Sequence, residues 1–163
     1  MTKELYLISR TCLEKMRQRG KRVSFAESCT GGLIAKAMTD HSGASDVFEC
    51  GVVSYSGRIK SKILNVPCDI IATYGEVSEQ VAKAMAQGIR EISGADFGVG
   101  VTGIAGPTGG TVDKKVGLIY VAISSLTHTE SYKLELYDKQ LTREQRRKYT
   151  ACFVYQKLIE LLN

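Results

Sequence analysis

The 163-residue sequence predicts a three-layer α/β/α sandwich built on a mixed β-sheet. Two observations support this fold class. Segments with the pattern of buried strands alternate with amphipathic helical segments along the chain. Hydrophobic residues make up 44% and charged residues 24%, which is ordinary globular composition. The length suits one core, so we expect a single domain over residues 1–163.

The first half of the chain alternates helices and strands. Its first helix carries apolar residues at helical spacing and ends at Gly20, a natural helix stop. The expected elements are, in order, a helix at 3–19, a strand at 22–27, a helix at 31–40, a buried strand at 48–55, a short helix ended by Pro67, and a helical turn near 70–71.

The second half continues the alternation. Ser78 can cap a helix that runs to about Ile92. A strand follows at 97–101, where glycines alternate with apolar residues, so another backbone is expected to approach it closely. The remaining expected elements are a central strand at 117–125, a strand with one wet face at 130–136, and a final helix at about 142–162.

The segment 26–32 joins a predicted strand to a predicted helix and carries the most informative side chains. Ser28 and Cys29 lie at the turn, where a hydroxyl or a thiol could act as a nucleophile. Backbone N–H groups at Thr30, Gly31 and Gly32 would provide an oxyanion site at the start of the helix. The alternative is an ordinary connection in which Ser28 or Thr30 is the N-cap.

A second polar cluster, Tyr55–Lys60, follows the strand expected at 48–55. Lys60 could be the base for a serine if its pKa fell from about 10.4 to near 7, which requires about 4–5 kcal/mol. Partial burial, with Arg58 or Tyr55 nearby, could supply this stabilisation of the neutral amine. A surface lysine on a short helix is the alternative that the residues alone favour.

Two more clusters suit an anionic ligand. The segment 102–110 has four glycines in nine residues, so its backbone N–H groups could approach a ligand, although a flexible connection is the alternative. Arg143 and Arg147 lie four residues apart at the start of the last helix, and guanidinium groups can bind a phosphate in bidentate fashion. We interpret Arg146 and Lys148 as a solvated helix face.

Several classes of protein are disfavoured. The five cysteines are dispersed and form no CxxC pair, and His41 and His128 lie in polar surroundings. We therefore expect no disulfide scaffold, no metal site and no Ser-His-Asp triad. No segment approaches the ~20 apolar residues of a membrane span, and the amino terminus does not resemble a signal peptide, so a cytoplasmic protein without membrane contact is expected.

The net charge of +5 raises the question of nucleic acid. Residues 139–148 contain five basic residues and one acidic residue. The run has few aromatic residues near it and no nucleic-acid motif, so a small anionic ligand explains it at least as well. We expect no nucleic-acid partner.

In combination these motifs resemble the CinA carboxy-terminal domain family, whose stand-alone members include nicotinamide-nucleotide amidases. The resemblance covers essentially the whole chain, including segments 43–45 and 77–79. The motifs that carry it are Ala-Glu-Ser-Cys-Thr-Gly-Gly at 26–32, Tyr-Ser at 55–56 with Lys60, and Thr-Gly-Ile-Ala-Gly-Pro at 102–107.

The resemblance implies hydrolysis of nicotinamide mononucleotide to nicotinate mononucleotide and ammonia, without a cofactor, by a homo-oligomer. It implies that Ser28 is the nucleophile, that Lys60 is the base, and that Tyr55 orients or tunes the lysine. Arg143, with Arg147, would hold the 5′-phosphate. The other positions expected around the substrate are Thr30, Gly31, Gly32, Ser45, Thr102, Gly103 and Gly106.

Two alternatives stay open. Cys29 is a rival nucleophile, although a small buried thiol without a histidine partner is usually inert. The chain also departs from the family pattern: the family usually has Asn at position 57, Asp at position 108 and Gly-Asp-Arg before the last helix. A degenerate member that binds a nucleotide or a partner without catalysis is the alternative function.

Overall fold

The computed structural model describes residues 2–163 and contains five strands and six α-helices. The strands are β1 (Val23–Glu27), β2 (Phe48–Val53), β3 (Phe97–Gly103), β4 (Leu118–Ser124) and β5 (Thr129–Glu135). The helices are α1 (Lys3–Gln18), α2 (Leu33–Thr39), α3 (Gly57–Leu64), α4 (Cys68–Tyr74), α5 (Glu79–Ser93) and α6 (Arg143–Leu161), with a 3₁₀ turn at Ala44–Asp46.

The strands form one mixed sheet in the order β2–β1–β3–β4–β5. Strand β1 pairs in parallel with both β2 and β3, whereas β4 and β5 pair antiparallel. Glu27, the last residue of β1, is in register with Val53 of β2 and Val101 of β3. The segments that follow these three strands therefore meet at one edge of the sheet, where open α/β sheets bind ligands.

Helices cover both faces of the sheet. Helices α1, α2 and α6 contact one another over the larger apolar core, whose central aromatic pair is Phe25 and Tyr155. Helix α5 lies on the other face, against β3 and β4, and α3 and α4 pack beside it. The predicted three-layer α/β/α fold with a mixed sheet is confirmed.

The glycines of β3 allow α5 to lie very close to the sheet. A Cβ atom at Gly98 would collide with the carbonyl oxygen of Ala86, and one at Gly100 with that of Ala82. The close backbone approach expected from the alternating glycines is therefore present, and it comes from α5.

Three details differ from the sequence-based expectations. Strand β2 was expected to be buried, but it is an edge strand whose residues alternate between half-buried and exposed, because no strand pairs with its outer side. The turn expected near 70–71 is the longer helix α4, and the 3₁₀ turn was not predicted.

Within residues 2–163, no helix combines the length and the hydropathy needed to cross a membrane.

Candidate active site

Ser28 and Lys60 meet at the carboxyl edge of the parallel strands. Ser28 follows β1 and Lys60 lies in the first turns of α3, and the Nζ atom of Lys60 is 3.2 Å from the Oγ atom of Ser28. Ser56 caps α3 by accepting a hydrogen bond from the N–H of Ile59, which orients the helix so that Lys60 points inward. The two side chains form a hydrogen-bonded dyad that joins two different loops.

Lys60 is held in surroundings that favour its neutral form. Its side chain has no exposed surface, and burial lowers the pKa of Lys60. Nζ also donates to the carbonyl oxygen of Ser54 at 2.9 Å. A neutral amine that donates to Ser54 has its lone pair free to accept the proton of Ser28, as a general base must.

The rival nucleophile, Cys29, is in the opposite situation. Its side chain is buried, and burial raises the pKa of the Cys29 thiol to about 12. At neutral pH this thiol is therefore almost wholly protonated, whereas the thiolate is the form that reacts. Ser28, by contrast, has a hydrogen bond to a candidate base, since Lys60 Nζ lies 3.2 Å from its Oγ atom.

The turn after β1 is organised by Glu27, a residue to which no role was assigned from sequence. Its carboxylate, only 1% exposed, accepts hydrogen bonds from the N–H groups of Gly32, Ile34 and Ala35 at 3.0, 3.2 and 2.8 Å. These are groups that the start of a helix leaves without intrahelical partners. Glu27 could have been found as a carboxylate placed just before the first turn of a predicted helix.

The oxyanion site expected at residues 30–32 is therefore corrected. The N–H of Gly32 is bonded to Glu27, and the N–H of Gly31 is bonded to the carbonyl oxygen of Ser28 at 3.0 Å. Among the hydrogen bonds of residues 2–163, none runs from the N–H of Cys29 or Thr30 to another residue. Of these two residues, Thr30 is fully buried, whereas Cys29 lines a cavity, so the N–H of Cys29 is the donor of this turn that a ligand could use.

Arg147 supports this turn. Its Nε and Nη2 atoms both donate to the carbonyl oxygen of Thr30, at 3.1 and 2.6 Å. The side chain of Thr30 is fully buried below this contact. The expectation that Arg147 holds a phosphate is corrected, because its guanidinium is directed at the protein backbone.

Arg143 and Tyr55 bind each other across the site. The Nη2 atom of Arg143 donates to the hydroxyl oxygen of Tyr55 at 2.8 Å, and Nη1 donates to the carbonyl oxygen of Gly106 at 2.7 Å. Tyr55 is 61% exposed and makes no hydrogen bond to Lys60 among the described residues. Tyr55 was expected to orient the lysine, but its hydroxyl is bonded to Arg143.

A cavity of about 190 Å³ opens between these groups. Its volume equals that of roughly six liquid water molecules. It can therefore accept a small planar group. Its lining consists of Cys29, Tyr55, Gly103, Ile104, Ala105, Gly106, Thr108, Gly109 and Arg143.

The glycine-rich segment contributes backbone to this cavity, and Thr102 supports a neighbouring loop. Gly103 and Gly106 both line the cavity, and a Cβ atom at Gly103 would lie 2.6 Å from a side-chain carbon of Ile119. The hydroxyl of Thr102 is buried and donates to the carbonyl oxygen of Glu76 at 2.8 Å. Thr102 was expected near the substrate, but its hydroxyl holds the segment before α5.

Ser45 lies away from the other predicted site residues. Helix α2 carries the chain from the carboxyl edge of the sheet back to the amino edge, where Ser45 lies in the 3₁₀ turn before β2. Its carbonyl oxygen accepts a hydrogen bond from Arg22, which immediately precedes β1. The chain's own Ser45 therefore cannot contact a ligand held at Ser28.

The interpretation of Arg146 as part of a solvated helix face is wrong, because this side chain is buried. It is 4% exposed and donates to the carbonyl oxygens of Leu136, Asp138 and Ala105 at 2.9, 2.6 and 3.4 Å. Lys148 does face outward, where it pairs with Glu144. Since three of the five basic residues of 139–148 donate to backbone carbonyls, the run is not a continuous basic stripe.

Glu76 and the residues that depart from the family pattern also shape the site. Glu76 Oε2 lies 3.8 Å from Lys60 Nζ, and a lone glutamate in a loop gave no sequence signal for this position. Thr142 is the N-cap of α6 and forms a capping box with Gln145, which places Arg143 at the first helical position. Within residues 2–163, no group of three or more His, Cys, Asp or Glu side chains is arranged to hold a metal ion.

Comparisons with known proteins agree on one family. The model of the CinA C-terminal domain matches residues 6–162. A CinA-like protein of Desulfovibrio desulfuricans is 54% identical over 112 residues, which cover 69% of this chain and 26% of that relative. The chain therefore spans about a quarter of the length of that relative.

Solved structures give the same result. The competence/damage inducible protein CihA from Agrobacterium tumefaciens superposes with a TM-score of 0.95 at 36% identity and covers 100% of this chain and 98% of its own. A CinA superfamily protein from Klebsiella pneumoniae gives a TM-score of 0.92 at 27% identity, with 97% of both chains covered.

Proposed function

Because the chain belongs to the CinA C-terminal domain family, we propose that it hydrolyses nicotinamide mononucleotide with Ser28 as nucleophile and Lys60 as base. One observation carries this proposal: a fully buried lysine amine lies 3.2 Å from a serine hydroxyl beside an open cavity. Burial of a lysine is costly unless the amine is used in its neutral form, which is the form that a general base requires.

The first half of the reaction forms an ester. Lys60 Nζ takes the proton of the Ser28 hydroxyl, and Oγ attacks the carboxamide carbon. The N–H group of Cys29 stabilises the resulting oxyanion, and one such donor is typically worth about 3–4 kcal/mol. Lys60 then returns its proton to the carboxamide nitrogen, the C–N bond breaks, and ammonia leaves.

The second half releases the acid. Lys60, neutral again, takes a proton from a water molecule, and the hydroxide attacks the ester carbon. The bond from the carbonyl carbon to Ser28 Oγ breaks, and Lys60 returns the proton to the serine. The sum is carboxamide plus water giving carboxylic acid plus ammonia, and both dyad residues regain their initial states.

Arg143 supports a nucleotide as the substrate. Its bonds to Tyr55 and Gly106 place the guanidinium at the rim of the cavity, and they use two of its five N–H donors. The remaining donors can bind a phosphate while the pyridine carboxamide enters the cavity toward Ser28. Tyr55 then serves to position Arg143.

Ammonia release from nicotinamide mononucleotide by purified, metal-free protein tests the proposal. We expect the Ser28→Ala variant to lose on the order of 10⁴-fold in kcat, and the Cys29→Ala variant to keep most of it. Full turnover in Ser28→Ala together with loss in Cys29→Ala would show that the nucleophile is wrong.

A series of carboxamides tests the substrate. Nicotinamide, nicotinamide riboside and nicotinamide mononucleotide differ in the ribose and the phosphate, so an Arg143→Ala variant should lose affinity for the mononucleotide alone. If the wild type releases no ammonia but is stabilised thermally by nucleotide, the chain is a binding module and the catalytic proposal is wrong. The resemblance also implies a homo-oligomer, and this prediction can be tested by sedimentation velocity.

A further inference from the structure

The carboxylate of Glu76 lies next to the amine of Lys60. Oε2 of Glu76 is 3.8 Å from Nζ, and Glu76 is the acidic residue that pairs with Lys60 among residues 2–163. The lysine side chain is fully buried, whereas the Glu76 side chain is 49% exposed. One carboxylate oxygen thus approaches the buried amine from a side chain that reaches solvent.

The backbone around Glu76 is fixed from several sides. The hydroxyl of Thr102 donates to its carbonyl oxygen at 2.8 Å. The hydroxyl of Ser78 donates to the preceding carbonyl, that of Gly75, at 2.9 Å. Lys114 Nζ donates to the carbonyl oxygen of Tyr74 at 2.5 Å. The backbone position of Glu76 is therefore defined by β3, by the turn at residues 75–78 and by the loop that carries Lys114.

Gly57 provides the space for this carboxylate. A Cβ atom at Gly57 would lie 2.8 Å from Oε1 of Glu76 and 3.2 Å from its Cδ. Gly57 does not adopt a left-handed backbone conformation, so the glycine matters here for the space it leaves: a larger residue would require the Glu76 side chain to move. It is the first residue of α3, one turn before Lys60. Where the family pattern has Asn, this chain thus has a glycine against which the Glu76 carboxylate lies.

We propose, on the basis of the function proposed above, that Glu76 is a positioning residue for Lys60 and that Gly57 is the residue that admits it. The carboxylate attracts the protonated amine and holds Nζ between Ser28 and the carbonyl oxygen of Ser54. It also limits how far burial reduces the proton affinity of Lys60.

The groups around Lys60 determine the direction in which removal of Glu76 would shift the pKa of Lys60. Burial lowers the pKa of Lys60, while Glu76 and, more weakly, Cys29 raise it. The Cys29 thiol stays neutral in the working range because its own pKa is raised to about 12. Glu76 is therefore the group whose charge opposes burial, and its removal lowers the pKa of Lys60 further.

The pH dependence of ammonia release tests this role. In Glu76→Gln, the ascending limb of kcat/KM moves to lower pH, and the rate at pH 6 rises roughly threefold, because more Lys60 is neutral there. Gly57→Ala displaces the carboxylate and shifts the limb in the same direction. The double variant matches Glu76→Gln, since both changes act through one contact.

Glu79→Gln is the matched control, because Glu79 pairs with Lys83 on α5 and should leave the profile unchanged. A uniform change in kcat/KM at every pH, without a shift of the limb, would contradict the proposal. An equal shift in the Glu79→Gln control would contradict it as well.

A second measurement separates this proposal from the function on which it rests. NMR of protein with isotope-labelled lysine, assigned with a Lys60→Met variant, follows the titration of Lys60 without substrate. We expect the pKa of Lys60 to fall in Glu76→Gln and in Gly57→Ala. If it falls while the wild type hydrolyses no carboxamide, only the proposed function fails. If neither variant moves the titration, the role of Glu76 is wrong.

Discussion

The guanidinium of Arg147 donates from Nε and Nη2 to one carbonyl oxygen, that of Thr30, at 3.1 and 2.6 Å. This contact joins α6 to the turn that presents Ser28. A Cβ atom at Gly31 would lie 3.3 Å from the same Nη2 atom, so a small residue there keeps the approach open. The last helix of the chain therefore holds the turn after the first strand in place.

Replacing Arg147 by alanine should destabilise the fold and the active turn together. Two charge-assisted hydrogen bonds are lost, and the Thr30 carbonyl is left without this partner, which costs about 2–3 kcal/mol of unfolding free energy. Urea denaturation measures the loss. We expect kcat to fall more than KM rises, since Arg147 does not line the cavity.

Lys148→Ala is the control for Arg147. Lys148 pairs with Glu144 on the helix surface, and such a pair contributes only about 0.3–0.5 kcal/mol. A selective rise in KM for phosphate-bearing substrates in Arg147→Ala, with unchanged stability, would restore Arg147 as a phosphate ligand.

Glu27→Gln tests the cap of α2. The amide has one acceptor oxygen where the carboxylate has two, so an NH₂ group faces at least one of the donors at Gly32, Ile34 and Ala35. We expect a loss of about 2 kcal/mol in unfolding free energy, and a lower kcat because the Ser28 turn loosens. Wild-type thermal stability in Glu27→Gln would refute this explanation of the turn.

The stability of the protein should depend on pH through Lys60. Because burial lowers the pKa of Lys60 from 10.5, the folded state binds this proton less tightly than the unfolded state. The free-energy cost of burying the protonated amine is present in full at pH values below the folded-state pKa of Lys60. It disappears as the pH rises toward the pKa of the lysine in the unfolded state. The wild type should therefore gain stability relative to Lys60→Met as the pH rises from the folded-state pKa of Lys60 toward 10.5.

Urea denaturation of both proteins at several pH values provides this comparison, with the exposed Lys62→Met as control. The Lys62 variant should follow the wild type at every pH. A stability difference between wild type and Lys60→Met that stays constant with pH would contradict the depressed pKa.

The contact between α5 and β3 should be intolerant of a methyl group. Gly100→Ala places a Cβ atom against the Ala82 carbonyl, so the helix must move, at a cost of about 2–3 kcal/mol. Gly94→Ala is the control: its φ of 68° is strained for alanine, but nothing lies within 4 Å of the added atom. That variant should lose only about 1 kcal/mol, and equal melting temperatures would contradict the packing argument.

The order of helices and strands could be predicted because local signals mark most of the elements. Ser78 accepts a hydrogen bond from the N–H of Val81 and caps α5, as its sequence position indicated. The glycines Gly98 and Gly100 correctly predicted that another backbone would lie close to β3. The edge position of β2 could not be predicted, because the pattern of its apolar residues does not distinguish an edge strand from a central strand.

The site was predictable only where motifs marked it. Ser28 was marked by its turn, and Lys60 was assigned as the base through the family resemblance, since the residues alone favoured a surface lysine there. Their meeting at one sheet edge follows from the parallel strands. The roles of Glu27, Glu76 and Arg146 depend on contacts between distant segments, which composition and spacing do not encode. Ser45 was misplaced because helix α2 reverses the direction of the chain before it.

The glycine contacts of α5 have a thermal consequence for the dyad. A Cβ atom at Gly88 would collide with the carbonyl oxygen of Leu64, the last residue of the helix that carries Lys60. Helix α5 in turn rests on β3, and β3 pairs with β1, which ends next to Ser28. Base and nucleophile are thus joined by stacked main chain rather than by a mobile lid. On heating, activity and tertiary structure should disappear at the same temperature.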